Sequence, residues 1–123
     1  MQPPPAPKIL LVDDDLALLD ALRFSLELEG FDVEIFPSGE ALLMREPPPP
    51  GACLVLDEKL PGVSGLATLR QLRERKVEAP ALLITSHPNP RLRAAAAKAG
   101  VPIVEKPLLG DALVESIRSA MAP

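Results

Sequence analysis

At 123 residues the chain has room for one domain and little more, and with 47% hydrophobic residues it can bury a core without disulfide or metal staples. Its net charge of −4, with no Trp, no Tyr and only three Phe, excludes the basic, aromatic-interleaved surface that nucleic-acid binding requires. The first residues lack a signal-peptide pattern and no apolar run nears the roughly 20 residues that span a bilayer, so the expectation is a soluble, cytoplasmic protein without direct contact to nucleic acid or membrane.

Residues 1–7 hold four prolines and read as a disordered tail ahead of a domain over residues 8–122. Ile9 to Val12 is a short apolar run that ends in Asp13-Asp14-Asp15. Leu16 to Glu29 has helical spacing, with Leu18, Leu19, Leu22, Leu26 and Leu28 largely on one side, Asp15 as N-cap and Gly30 as C-cap. Asp32 to Phe36 alternates like a partly exposed strand. Ser38 suits the N-cap of a short helix to about Arg45, which Pro47 to Pro50 stop.

The pattern then repeats. Ala52 to Leu56 is an apolar strand ending at Asp57, in which Cys53, the only cysteine, reads as a small buried hydrophobe. A loop from Glu58 to Ser64 leads to a helix over about Gly65 to Arg75. Ala81 to Ile84 is a strand ending at Thr85, followed by an Ala-rich helix from Arg91 to Ala99 capped by Gly100. Ile103-Val104 is a short strand ending near Lys106-Pro107, and Asp111 can cap a last helix to about Met121. Five strand–helix pairs imply an α/β fold, a doubly wound parallel sheet covered on both faces, with ligands beyond the carboxyl ends of the strands.

Polar residues follow the strands rather than the helices: Asp13 to Asp15 the first, Asp57 the third, Thr85 the fourth, Lys106 the fifth. Each alone has a bland reading, as an N-cap, a turn residue or a surface charge. A parallel sheet brings them to one rim, where clustered carboxylates repel and call for a cation. Mg²⁺ suits one or two carboxylates plus phosphate, and a hydroxyl and an ammonium opposite suit a phosphoryl group.

Val12-Asp13-Asp14-Asp15, Leu56-Asp57-Glu58-Lys59-Leu60-Pro61-Gly62-Val63-Ser64-Gly65, Ile84-Thr85-Ser86 and Glu105-Lys106-Pro107 resemble, in order, the four signature segments of response-regulator receiver domains, from about Lys8 to Met121. The resemblance implies a flavodoxin-like (βα)5 three-layer sandwich whose five-stranded parallel sheet runs in the order 2-1-3-4-5. It implies Asp57 as phosphoacceptor, and Mg²⁺ held by Asp14 directly, Asp13 mainly through water, Asp57 and the backbone carbonyl of Lys59. Thr85 resembles the switch hydroxyl and Lys106 the lysine that pairs with the phosphoryl group, with a cis Lys106-Pro107 bond. The implied partner is a sensor histidine kinase or histidine phosphotransfer protein. A homodimer through the last two helices, or the first and last, is a further implication.

The chain departs from the family where an aromatic usually stands three positions before the lysine: Ile103 is here, and the stretch from Gly100 to Lys106 is one residue short. His87 reads as a loop residue near the rim rather than a relay or metal ligand, although residues at the positions of Lys59 and His87 flank the path of attacking water in the family. Two other readings stay open: a receiver-like interaction module that is not phosphorylated, and an aspartyl phosphatase. Lys59, where such phosphatases carry a second Asp, argues against the latter. Taken as a whole protein, a receiver of single-domain type would pass its output to a separate effector.

Overall fold

The computed structural model describes residues 6–108 and 111–122. Five strands alternate with five helices: β1 (Lys8–Val12), α1 (Leu16–Leu28), β2 (Asp32–Phe36), α2 (Gly39–Met44), β3 (Cys53–Asp57), α3 (Gly65–Glu74), β4 (Ala81–Thr85), α4 (Pro90–Ala99), β5 (Ile103–Glu105) and α5 (Ala112–Met121). The strands form one parallel sheet in the order β2-β1-β3-β4-β5, as the resemblance implied. Of the proline-rich start, residues 1–5 lie outside the described residues. Sheet pairing reaches back as far as the Pro7 carbonyl, which accepts a bond from the Asp32 N–H at 2.9 Å.

The central strands are buried on both faces, so their side chains sort by the twofold alternation of a strand. Ile9, Leu11, Val55, Leu82 and Ile84 point to one side, where Leu19 and Leu26 of α1 and Leu113, Val114 and Ile117 of α5 cover them. Leu10, Val12, Leu54, Leu56 and Leu83 point to the other, against Leu42 of α2, Leu66, Leu69 and Leu72 of α3 and Ala96 of α4. Cys53 is fully buried in the first cluster. Burial pushes its thiol up to about 12, which makes it inert.

The expected apolar side of α1 is narrower than the leucine count suggested. Leu19 and Leu26 are buried, whereas Leu28 is 74% exposed, because two residues rotate a helix by about 200° and turn it outward. Side chains of Asp15, Ser38, Ser64 and Asn89 cap α1 to α4 by accepting from the third residue onward, at 2.8–3.1 Å. Gly100 ends α4 in the left-handed conformation, with φ of 72°. Asp111, expected to cap α5, makes no side-chain cap bond.

At the edge of the sheet, Arg45 grips Glu34 of β2 with two bonds of 2.8 and 2.6 Å and donates to the carbonyls of Glu46 and Pro47. It thereby ties the start of the proline run to β2. The Arg45 guanidinium, helped by Lys8, holds the Glu34 carboxyl down at about 2 against the effect of burial. A carboxyl with a depressed pKa stabilises the fold above its unfolded value and loses that effect as pH falls through its folded one. Arg45→Ala is therefore expected to lower stability by about 1 kcal/mol near neutrality, the upper end for a half-exposed pair. In urea unfolding, the gap from wild type should shrink between about pH 4.5 and 2.

Candidate functional site

The site is built by the ends of four strands. Asp13 is the first residue beyond β1, and its N–H donates to the Phe36 carbonyl at 3.2 Å, so the β1–β2 ladder fixes its backbone. Asp57 is the last residue of β3, paired with Ile84 of β4. Thr85 closes β4, and its carbonyl accepts the Lys106 N–H at 2.8 Å. The short β5 therefore still delivers Lys106 directly beyond its last pair, Thr85 with Glu105. All four strands point the same way, so these side chains share one end of the sheet.

One carboxylate oxygen from each of Asp13, Asp14 and Asp57 lies within 4.8 Å of the others. Asp13 and Asp57 are buried and Asp14 is exposed, which leaves the cluster closed from below and open to solvent on one side. Lys106 Nζ stands 3.0 Å from Asp13 Oδ2 and 3.6 Å from Asp57 Oδ2. Asp13 Oδ1 accepts the Asp15 N–H at 3.0 Å, and Asp15 itself caps α1. Thr85 is buried at 2% exposure, and its Oγ1 accepts the His87 N–H at 3.3 Å. That bond occupies a lone pair and leaves the hydroxyl proton to donate elsewhere.

Burial and then the charge of Asp13, with a smaller part from Asp14, raise the Asp57 carboxyl to about 6; Lys106 and the Lys59 backbone amide pull it the other way. Burial works to lower the Lys106 ammonium, but its bond to Asp13 and the charge of Asp57 outweigh this and raise its pKa. One ammonium is thus not enough to offset the buried carboxylates. The surplus negative charge, the all-oxygen donor set and the open side fit a hard divalent cation such as Mg²⁺.

Of the residues singled out from sequence, Asp13, Asp14, Asp57 and Lys106 come together, with Thr85 at the adjoining strand end. The Lys106-Pro107 bond is cis. The Lys59 side chain is exposed. His87 is exposed and enters through its main chain alone. Sequence reasoning passed over Glu58, whose carboxylate accepts the Leu66 N–H at 2.8 Å. The one available signal was the lack of any acid in the first turn of α3.

Fold and site together define a flavodoxin-like α/β domain with an acidic centre where the strand order reverses, between β1 and β3. The chain belongs to the response regulator receiver domain family, whose model matches residues 9–118. It is 35% identical, over 92% of its length, to the transcriptional regulatory protein FixJ of Bradyrhizobium diazoefficiens. It is 36% identical, over 93%, to the C4-dicarboxylate transport transcriptional regulatory protein DctD of Pseudomonas aeruginosa. The chain spans 56% and 25% of the lengths of those two relatives. The crystal structure of FixJ-N superposes with a TM-score of 0.85 at 33% identity, covering 98% of this chain and 95% of that one. A CheY-like receiver domain protein from Methanospirillum hungatei gives 0.86 at 26% identity, with 94% of each chain covered. No helix among the described residues is long and apolar enough to cross a membrane.

Proposed function

We propose that residues 8–122 form a Mg²⁺-dependent phosphoacceptor switch that takes a phosphoryl group onto Asp57 from a sensor histidine kinase or a histidine phosphotransfer protein. The observation that carries this reading is the convergence of the Asp13, Asp14 and Asp57 carboxylates with Lys106 at one open end of the sheet. When bound between those carboxylates and the Lys59 carbonyl, Mg²⁺ supplies positive charge against the phosphoryl oxygens.

In the proposed reaction an Asp57 oxygen attacks phosphorus in line, the O–P bond forms, the N–P bond to the donor imidazole breaks and the imidazole leaves. Lys106, already beside Asp57, pairs with the phosphoryl oxygens, and the Thr85 hydroxyl donates to one of them. Ser86 to Asn89 follow Thr85 directly, so its movement would carry the start of α4 with it. Ile103, half-buried against the second core cluster, has no aromatic ring to follow the hydroxyl. The read-out would then pass through α4 itself, to an effector or to a second copy across α4–α5 or α1–α5. Water attack on the acyl phosphate resets the switch.

The test is intact mass after incubation with acetyl phosphate. One phosphoryl group should be gained in the presence of Mg²⁺ and none after chelation. A folded, Mg²⁺-replete protein that gains nothing would favour a receiver-like interaction module instead.

A further inference from the structure

We propose that Glu58 is a positioning residue, whose carboxylate locks the start of α3 onto the end of β3 and so sets the pose of the Lys59 peptide and the Mg²⁺ affinity of the acidic centre. The proposal rests on the receiver reading above and adds to it a residue that touches neither metal nor phosphoryl group.

Glu58 is held at three points. Its N–H donates to the Ile84 carbonyl at 2.9 Å, which prolongs the β3–β4 ladder by one residue. Its carbonyl accepts the Gly65 N–H at 3.2 Å, and its side chain accepts the Leu66 N–H at 2.8 Å. The first turn of a helix leaves four N–H groups without partners inside the helix. In α3 the Ser64 hydroxyl serves the third residue, Ala67, while the Ser64 carbonyl accepts the Thr68 N–H as the helix's own first bond. Glu58 serves the first two from across the loop, and it is the acid that the first turn of α3 lacks.

The contact between β3 and α3 is tight. A Cβ on Gly65 would lie 2.4 Å from the Asp57 carbonyl oxygen and 3.1 Å from Glu58 Cα. The loop between these anchors is stiffened by Pro61 and bent at Gly62, with φ of 79°. Glu40 of α2 touches it from outside, through a longer bond of 3.4 Å from Val63 N–H. Lys59 is the first residue of this closed loop. Its amide faces the Asp57 carboxylate, and its carbonyl is the proposed metal ligand. Releasing the Glu58 side chain frees the two peptide units, Glu58–Lys59 and Lys59–Leu60, that carry these groups, while leaving Asp13, Asp14 and Asp57 in place.

Mg²⁺ affinity measured by titration calorimetry, which needs no Trp or Tyr, separates positioning from mere charge. Metal-free wild type, Glu58→Ala, Glu58→Gln and Glu58→Asp are compared well below each melting midpoint, with amide hydrogen exchange at Leu66 as a metal-independent readout. Positioning predicts that Ala and Asp bind Mg²⁺ about tenfold more weakly, in the range for lost outer-shell support. Gln keeps an oxygen at the right reach and should stay within about twofold of wild type, since a neutral acceptor keeps the bond. Leu66 exchange should quicken in Ala and Asp alone. Gln as weak as Ala with Asp near wild type would show a charge effect and overturn the proposal, as would four equal affinities. A wild type that binds no Mg²⁺ would sink the receiver reading itself, before any variant is compared.

Discussion

Asp57→Asn is expected to abolish phosphoryl uptake and, in the metal-free protein, to raise stability near neutral pH. The first effect follows from the loss of the proposed nucleophilic oxygen: the mass gain with acetyl phosphate and Mg²⁺ should vanish. The second follows from the electrostatics of the buried cluster. Burial and Asp13 raise the Asp57 carboxyl from 3.8 to about 6. An acid whose folded pKa lies above its unfolded value binds protons more readily in the fold. Its ionised form therefore destabilises the protein above about pH 6, and that penalty fades as pH falls from 6 toward 4. That rise corresponds to roughly 3 kcal/mol, and relaxation of the open side of the site trims this to on the order of 2 kcal/mol. Asn keeps the shape without the charge. Thermal melting in chelator should place Asp57→Asn several degrees above wild type at pH 7.5 and level with it near pH 4. Mg²⁺ should close the gap at pH 7.5 by stabilising the wild type. Equal melting at both pH values would mean that the three carboxylates do not repel as their spacing implies.

The layout of this site was legible in the sequence because strand ends are legible. Ile9 to Val12, Cys53 to Leu56 and Ala81 to Ile84 are continuous apolar runs, the mark of strands buried on both faces. The polar residue that follows each run falls at the same end of a parallel sheet, so Asp13, Asp57 and Thr85 could be grouped before any distance was known, with Lys106 just beyond the short Ile103-Val104 strand. The strand order came from the resemblance, since periodicity does not say which strand lies beside which. Other features depend on geometry across a gap in sequence. Glu58 reaches Leu66 across seven intervening residues whose path no local pattern encodes. Helical spacing groups Leu28 with the apolar side of α1, but its angle turns it outward. Asp111 has the residue type of a cap without its geometry: ψ is 8°, where the side-chain caps of α1 to α4 are extended.

Lys106→Ala should destabilise the metal-free protein at neutral pH by about 3 kcal/mol, the low end for removing one partner of a buried pair, since Lys106 is partly exposed. Its Nζ is the cation beside both Asp13 and Asp57, at 3.0 and 3.6 Å. Without it two buried carboxylates face each other with only backbone amides to offset them. A lysine with a raised folded pKa stabilises the protein at all pH values below its unfolded one, 10.5, and loses that effect only as pH rises through the folded one. The loss on mutation should therefore be full at pH 7.5, and it should ease in acid only because Asp57 protonates. Mg²⁺ should rescue the variant's stability more than it raises the wild type's, since it restores the missing positive charge. Phosphoryl transfer should not be rescued to the same degree. Removing a donor aimed at developing charge typically costs about 10² in rate. The double variant gives the sharpest reading. With Asn at position 57 the carboxylate repulsion is already gone, so adding Lys106→Ala should cost clearly less than it does in the wild type. A double-mutant cycle with no such coupling would place the two side chains outside each other's reach, against the 3.6 Å between them.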